Sequence, residues 1–139
     1  MKIVKILGLL VLIGLVLFAL IQLVPYGRSH KNPDVVQEPN WDEQTRAIAK
    51  KACFDCHSNE VVWPWYSNVA PVSWLVQRDV DEARRRLNFS DWGNKGLSAY
   101  EIAEVIQEGE MPPIQYTLIH TSAKLTAAEK QALIQGLPR

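Results

Sequence analysis

Cysteine is nearly absent from this chain. Its 139 residues include two, Cys53 and Cys56, too few for the disulfide framework that holds many small secreted folds together. Charge imbalance is absent as well, with 15 Lys and Arg against 15 Asp and Glu. Setting aside Lys2 and Lys5 at the N-terminus leaves 13 basic side chains against 15 acidic ones. That is no basic surface of the kind that meets a phosphate backbone, so nucleic acid is not expected as a partner. Histidine is scarce, at three. A four-ligand zinc site built around Cys53, Cys56 and His57 would have only His30 and His120 to complete it. Methionine is scarcer still, and Met111 is the only one outside the N-terminal segment. No stretch alternates as a half-buried strand does, and there is no internal repeat or low-complexity tract.

What is abundant is apolar residues, 47% of the chain, unevenly spread. Ile6 to Ile21 is an unbroken apolar run, and extending it from Ile3 to Val24 admits only Lys5 and Gln22 as polar members. As a helix that stretch reaches roughly 33 Å at ~1.5 Å per residue, enough for a hydrocarbon core of about 30 Å. Lys2 and Lys5 before the run favour an N-terminus kept in the cytoplasm, with mild asymmetry because Arg28 and Lys31 follow. A cleaved signal peptide is the competing reading, but the run ends in Gln22-Leu23-Val24-Pro25-Tyr26 without a small-x-small site. A buried core helix does not fit a run with no polar stripe. Residues 1–24 are therefore expected to be a single transmembrane anchor or uncleaved signal. Residues 25–40, rich in turn formers such as Gly27, Asn32-Pro33-Asp34 and Glu38-Pro39-Asn40, read as a linker. Residues 41–139 read as one domain outside the cytoplasm.

Within that domain four helices are expected. Asp42 caps the first, which runs toward Cys53 with Ile48, Ala49 and Ala52 on one face. Pro71 suits the first turn of the second, where Val76, Val80, Ala83 and Leu87 keep helical spacing. Ser98 with Glu101 and Thr126 with Glu129 form capping boxes for the third, ending near Gly109, and for the fourth, where Gly136 is placed as a stop. The fold class is all-α, with loops at 58–70, 88–97 and 110–125.

The central motif is Cys53-Phe54-Asp55-Cys56-His57. Two thiols separated by two residues, followed directly by histidine, form the signature of c-type haem attachment. One helical turn presents both sulfurs to the vinyl groups along a porphyrin edge, and the histidine follows as an iron ligand. An export segment upstream agrees, since such attachment in bacteria takes place outside the cytoplasm. A haem would also give the long loops a surface to pack on. The rival readings are a thiol redox pair, which would want a βαβ context, the zinc site above, and a plain disulfide. One covalent haem c, with its iron on His57, is the expected cofactor.

The sixth iron position is open to three readings. Met111 lies in Gly109-Glu110-Met111-Pro112-Pro113, where glycine permits a turn and the prolines stop the helix and stiffen the chain. A thioether ligand needs such fixing, because methionine is otherwise flexible. His120 is the rival and would lower the potential relative to a His/Met pair. An open site is the third.

Taken in order, CFDCH, then GEMPP, then a closing helix introduced by Lys124-Leu125-Thr126-Ala127-Ala128-Glu129 resemble a class I c-type cytochrome over most of residues 42–137. That resemblance implies His57 and Met111 as axial ligands. More specifically, Cys56-His57-Ser58-Asn59-Glu60, Trp63-Pro64-Trp65-Tyr66-Ser67-Asn68, Ala70-Pro71-Val72-Ser73-Trp74 and Leu87-Asn88-Phe89-Ser90-Asp91-Trp92 resemble a bacterial membrane-anchored haem-binding domain family. Its members are mostly small, exported and singly haem-loaded. There is one departure: class I cytochromes cross their first and last helices through a glycine–aromatic contact, and here the first helix has no glycine and the last no aromatic.

Trp63, Trp65, Tyr66 and Trp74 could wall a haem or simply fill a core. Arg84-Arg85-Arg86 could dock an acidic partner or form a solvated face paired with Asp79, Asp81 and Glu82. The expected function is one-electron transfer at the outer, periplasmic face of the cytoplasmic membrane, as a carrier rather than an enzyme. Its partners would be the membrane and a redox protein that the sequence does not name. The alternatives are a haem-based ligand sensor or small peroxidase with an open or labile sixth site, and a haem-free thiol redox protein.

Overall fold

The structure is a computed structural model that describes residues 2–94 and 96–138. Among the described residues there are seven α-helices and no strand: α1 (Lys2–Ile21), α2 (Glu43–Ala52), α3 (Phe54–His57), α4 (Val72–Arg86), α5 (Ala99–Gln107), α6 (Ile114–Ile119) and α7 (Ala127–Gln135). Short 3-10 turns lie at Trp65–Asn68 and Thr121–Ala123. The all-α expectation holds, and each of the four expected helices is present within a few residues of its expected ends. The expected loop at 110–125 instead contains α6. That helix is six residues long and follows Pro113 with no side-chain cap, so it carried neither a periodicity nor a capping signal.

The chain forms two compact units. The first comprises Met1–His30 with Trp63–Asp79, the second Lys31–Val62 with Val80–Arg139. In the first unit α1 buries none of its residues and is long and apolar enough, by length and composition, to cross a membrane. Its C-terminal end is bonded within the unit. The Gln22 carboxamide donates to the Phe18 and Ala70 carbonyls at 3.0 and 2.9 Å and accepts from the Ala70 amide at 2.9 Å.

In the second unit α2 and α5 both pack on α7 around Ile48, Ala49, Phe54, Ile102, Ile106 and Leu133. Phe54 and Leu133 are each only 1% exposed, and burying a side chain of that size contributes about 1.5–3 kcal/mol. The caps do what their spacing implies. Asp42 accepts from the Thr45 amide at 2.9 Å, and both capping boxes are closed on both sides. Each satisfies amides that a helix start leaves without partners. Residues 25–40 contain no helix. Part of this stretch is bonded within the second unit: Val36 and Gln37 donate to the Ser90 carbonyl at 2.8 and 3.1 Å, and Arg46 grips Glu38 with two bonds of 2.7 and 2.6 Å.

Gly136 ends α7, but with φ −85° it does not use the left-handed conformation for which glycine is usually selected there. Its reason is contact. A Cβ at this position would lie 2.6 Å from Thr45 Cγ2 and 2.8 Å from Thr45 Cβ. The close approach of first and last domain helices is thus made by threonine on α2 and glycine on α7, where the class I resemblance implies glycine on the first and an aromatic on the last. Gly136→Ala should therefore destabilise the domain by about 1–3 kcal/mol, the usual cost of overpacking. In chemical denaturation the cost should shrink in a Thr45→Ala background, and an equal cost in both backgrounds would rule out the clash.

The same helix pair carries an ion pair between Lys51 and Glu129. That partner, with the Thr126 amide and hydroxyl, holds the Glu129 carboxyl down at about 2. A depressed folded-state value adds stability above the unfolded value near 4.5, and the contribution is lost as pH falls from there toward 2. A denaturation series across that window should show a smaller acid loss for Glu129→Gln than for the parent chain. Parallel curves would contradict the assignment.

Candidate functional site

The candidate site is built where α2 gives way to α3. Cys53 still donates to the Ala49 carbonyl at 2.8 Å but leaves helical geometry at φ −124°. Its own carbonyl then accepts from Cys56 and His57 at 3.1 and 2.8 Å. This single turn sets Cys53, Cys56 and His57 on one short element, as the spacing predicts. Neither thiol is in a disulfide, and both are partly buried. Burial, with Cys56 adding to it, pushes the Cys53 thiol up to about 12. It carries essentially no thiolate at neutral pH, whereas a redox CxxC pair lowers its nucleophile. Among the described residues no group of three or more His, Cys, Asp and Glu side chains gathers to hold a metal, so the zinc reading has no donor set there.

His57 is fixed through one ring nitrogen. Its Nδ1 lies 3.0 Å from the Leu87 carbonyl oxygen. A carbonyl only accepts, so Nδ1 carries the hydrogen and the lone pair of the neutral ring is on Nε2. Burial lowers the imidazole's proton affinity, with the Leu87 and Ala83 carbonyls pulling the other way, so the neutral, ligating form is favoured. The Leu87 carbonyl is free for this because it stands just past the end of α4, where the last carbonyls of a helix lack intrahelical partners.

Around that bond the segments 57–60 and 87–90 close into a clasp. The Phe89 amide donates to the His57 carbonyl at 2.8 Å. The Asn59 amide donates to Ser90 Oγ at 2.9 Å, Asn88 Nδ2 to Asn59 Oδ1 at 3.0 Å, and the Ser90 amide to Asn88 Oδ1 at 3.0 Å. Ser58, fully buried, donates to the Phe54 carbonyl at 2.8 Å. Arg84 turns inward from the arginine run, its Nε donating to the Ser58 carbonyl at 2.8 Å. Arg85 stays on the surface, 3.9 Å from Glu82. Phe89 lies beside His57, at 6.3 Å between ring centroids, and in turn meets Trp41, Phe54 and Trp92. Trp63, Trp65, Tyr66 and Trp74 belong to the first unit, where Trp63 stacks on His30 at 4.7 Å.

Met111 stands at the exit from α5. Gly109 takes a left-handed φ of +78°, a conformation glycine adopts without strain. The Glu110 and Met111 amides both return to the Val105 carbonyl, at 3.0 and 3.1 Å. Met111 is 37% exposed, and Ile114, Leu118 and Ile119 of α6 are 73%, 72% and 69% exposed. Ile114 and Leu118, four apart, share a helix face. The Tyr116 hydroxyl donates to Asp55 Oδ2 at 2.6 Å, tying this segment to the Cys-x-x-Cys-His turn itself. His120 stacks on Tyr116 at 4.4 Å. Sequence reasoning missed Asp55, Leu87 and Tyr116. A carboxylate inside the motif was the one signal available, since backbone carbonyls leave none.

These residues fit a haem. There are two thiols for two vinyl groups, one imidazole whose neutral form carries its lone pair on Nε2, and one thioether. Exposed apolar side chains follow directly after that thioether, and a porphyrin would cover them. A cavity of about 210 Å³ beside Leu87, lined by Asn88, Trp92 and Leu97 among others, is smaller than the roughly 300–1,000 Å³ of ordinary ligand pockets.

A family model described as a haem-binding domain matches residues 16–139. No curated protein and no solved structure matches the chain. The bond from Tyr116 to Asp55 can be tested directly. In a double-mutant cycle of Tyr116→Phe with Asp55→Asn, followed by chemical denaturation, the two changes should couple by about 1.5 kcal/mol, at the lower end for a hydrogen bond to a charged group. Strictly additive effects would show that α6 is not held to the motif in this way.

Proposed function

The chain belongs to the haem-binding domain family, and from that premise we propose that it is a membrane-anchored c-type cytochrome carrying one covalent haem and transferring single electrons at the outer face of the cytoplasmic membrane. The observation that carries the reading is the His57 ring. Its Nδ1 is committed to the Leu87 carbonyl, which assigns the ring's lone pair to Nε2, on the same turn as two thiols that form no disulfide.

In this reading Cys53 and Cys56 would hold the haem through thioether bonds, each the product of adding S–H across a vinyl C=C, which balances without an oxidant. Bound haem supplies a one-electron iron couple. The residues of the chain set its terms. The Leu87 carbonyl holds the His57 tautomer and makes the imidazole a better donor. Met111 supplies a soft thioether, which raises the potential relative to a second histidine. Phe89 and its aromatic neighbours keep water from the His57 side. Asp55 and Tyr116 position the segment that bears Met111. The α1 helix anchors the chain with its N-terminus inside, and the domain is extracytoplasmic. It acts as a carrier, not an enzyme, and serves redox partner proteins at the membrane.

The visible spectrum of the haem-loaded protein tests this. The parent should be low-spin when reduced and indifferent to carbon monoxide, with the weak Fe–S(Met) charge-transfer band when oxidised. Met111→Ala should lose that band, become high-spin and bind carbon monoxide. A parent protein that is already high-spin and shifts with carbon monoxide would replace electron transfer by the ligand-sensor or peroxidase reading. A Met111→Ala variant that stays low-spin would move the sixth ligand elsewhere, with His120 the first residue to test.

A further inference from the structure

We propose that residues 63–75 form a platform lying in the lipid headgroup zone at the exit of α1, with Trp65 as its principal interfacial side chain. The proposal rests on the reading of α1 as a membrane anchor and adds a second, peripheral contact with the same bilayer.

The apolar run ends at the Gln22 side chain, so Gln22 marks the edge of the hydrocarbon. There the carboxamide engages both backbone groups of Ala70, as a neighbouring strand would. Arg28 closes the turn, donating to the Gln22 carbonyl at 2.6 Å and to Gln22 Oε1 at 2.8 Å. Gly27, at φ +80°, lies so close to the Ser73 backbone that a Cβ would stand 2.6 Å from Ser73 C. His30 follows, with Nε2 3.1 Å from the Ser67 carbonyl oxygen and 2.9 Å from Ser67 Oγ. Residues 22 to 30 are thus pinned at successive points to residues 63 to 73. If α1 spans the bilayer, residues 63–73 are held at its surface.

The side chains displayed there suit that depth. Trp65 is 80% exposed and meets Tyr66 edge to face at 5.9 Å. Leu23 and Tyr26, just past the span, are 78% and 47% exposed. On the outward face of α4, Val72 and Leu75 are 39% and 51% exposed. One turn further the same face is charged, with the Arg78 and Asp79 side chains 61% and 56% exposed. Apolar and aromatic groups therefore cluster near the Gln22–Ala70 bonds and charge begins beyond them. Tryptophan and tyrosine concentrate at this level because one part of the ring system is apolar and the other is wet. In water the same surface would be a solvent-exposed apolar patch.

Site-directed photocrosslinking of the full, haem-loaded chain in phospholipid membranes tests this, with p-benzoylphenylalanine placed in turn at Leu15, Trp65 and Asp79 and phospholipid adducts read by mass spectrometry. The expected result is strong adducts from Leu15 and Trp65 and several-fold weaker ones from Asp79. Adding Gln22→Ala should lower the Trp65 yield and leave the Leu15 yield unchanged. Adducts from Leu15 with Trp65 no better than Asp79 would overturn the platform while leaving the anchor standing. Adducts at Trp65 to protein alone would also overturn it. No adduct from Leu15 would remove the anchor and the platform together.

Discussion

The hydrogen bond from His57 Nδ1 to the Leu87 carbonyl is the constraint on which the rest of the site depends. It fixes the tautomer, the ring plane and the direction of the remaining lone pair. It exists because α4 ends at Arg86, leaving a carbonyl unspent just where the single turn of α3 delivers an imidazole. The neighbouring bonds serve the same end. Phe89 on the His57 carbonyl, Ser90 on Asn59 and Arg84 on the Ser58 carbonyl keep two chain segments in register. Removing any one would cost about 1 kcal/mol by the usual net value of a hydrogen bond, and together they hold the segments on either side of the ring.

The His57 and Met111 segments are held unequally. Behind His57 stand a closed network and a cluster of aromatic rings. The Met111 segment is held by the turn at Gly109, two amides on one carbonyl and the Tyr116–Asp55 bond, and much of its apolar surface is open. In the proposed reading that asymmetry would suit one permanent ligand, His57, and a second that completes the coordination when haem is bound. The choice between electron carrier and ligand sensor would then rest on whether Met111, His120 or neither is that second ligand.

Much of this was legible in the sequence, for physical reasons. Helix caps are local, so Asp42, Ser98 and Thr126 announced their helices three residues ahead of the partners they bind. The Cys53-x-x-Cys56-His57 spacing is fixed by one helical turn and needs no tertiary information. Backbone contacts are another matter. The role of Leu87 lies in its carbonyl, which every residue has, and the role of Gly136 is to let Thr45 approach, which a stop signal at a helix end conceals. The short α6 has too few turns to show a period. The Ser58-Asn59 and Asn88-Phe89-Ser90 stretches had a family likeness but no evident purpose until the clasp joined them. Residues 22–30 read as the edge of a span and a flexible linker, because a glutamine at the end of an apolar run does not say which backbone it will bind.

The central proposal is that Cys53 and Cys56 hold one haem covalently, with His57 as a ligand of its iron. Its most direct test is the intact mass of the chain after production with haem-attachment machinery and full denaturation. The expected mass is that of the polypeptide plus one haem, with the addition mapped to the peptide containing Cys53 and Cys56. A chain of unmodified mass, or one whose haem is released on denaturation, would contradict the account.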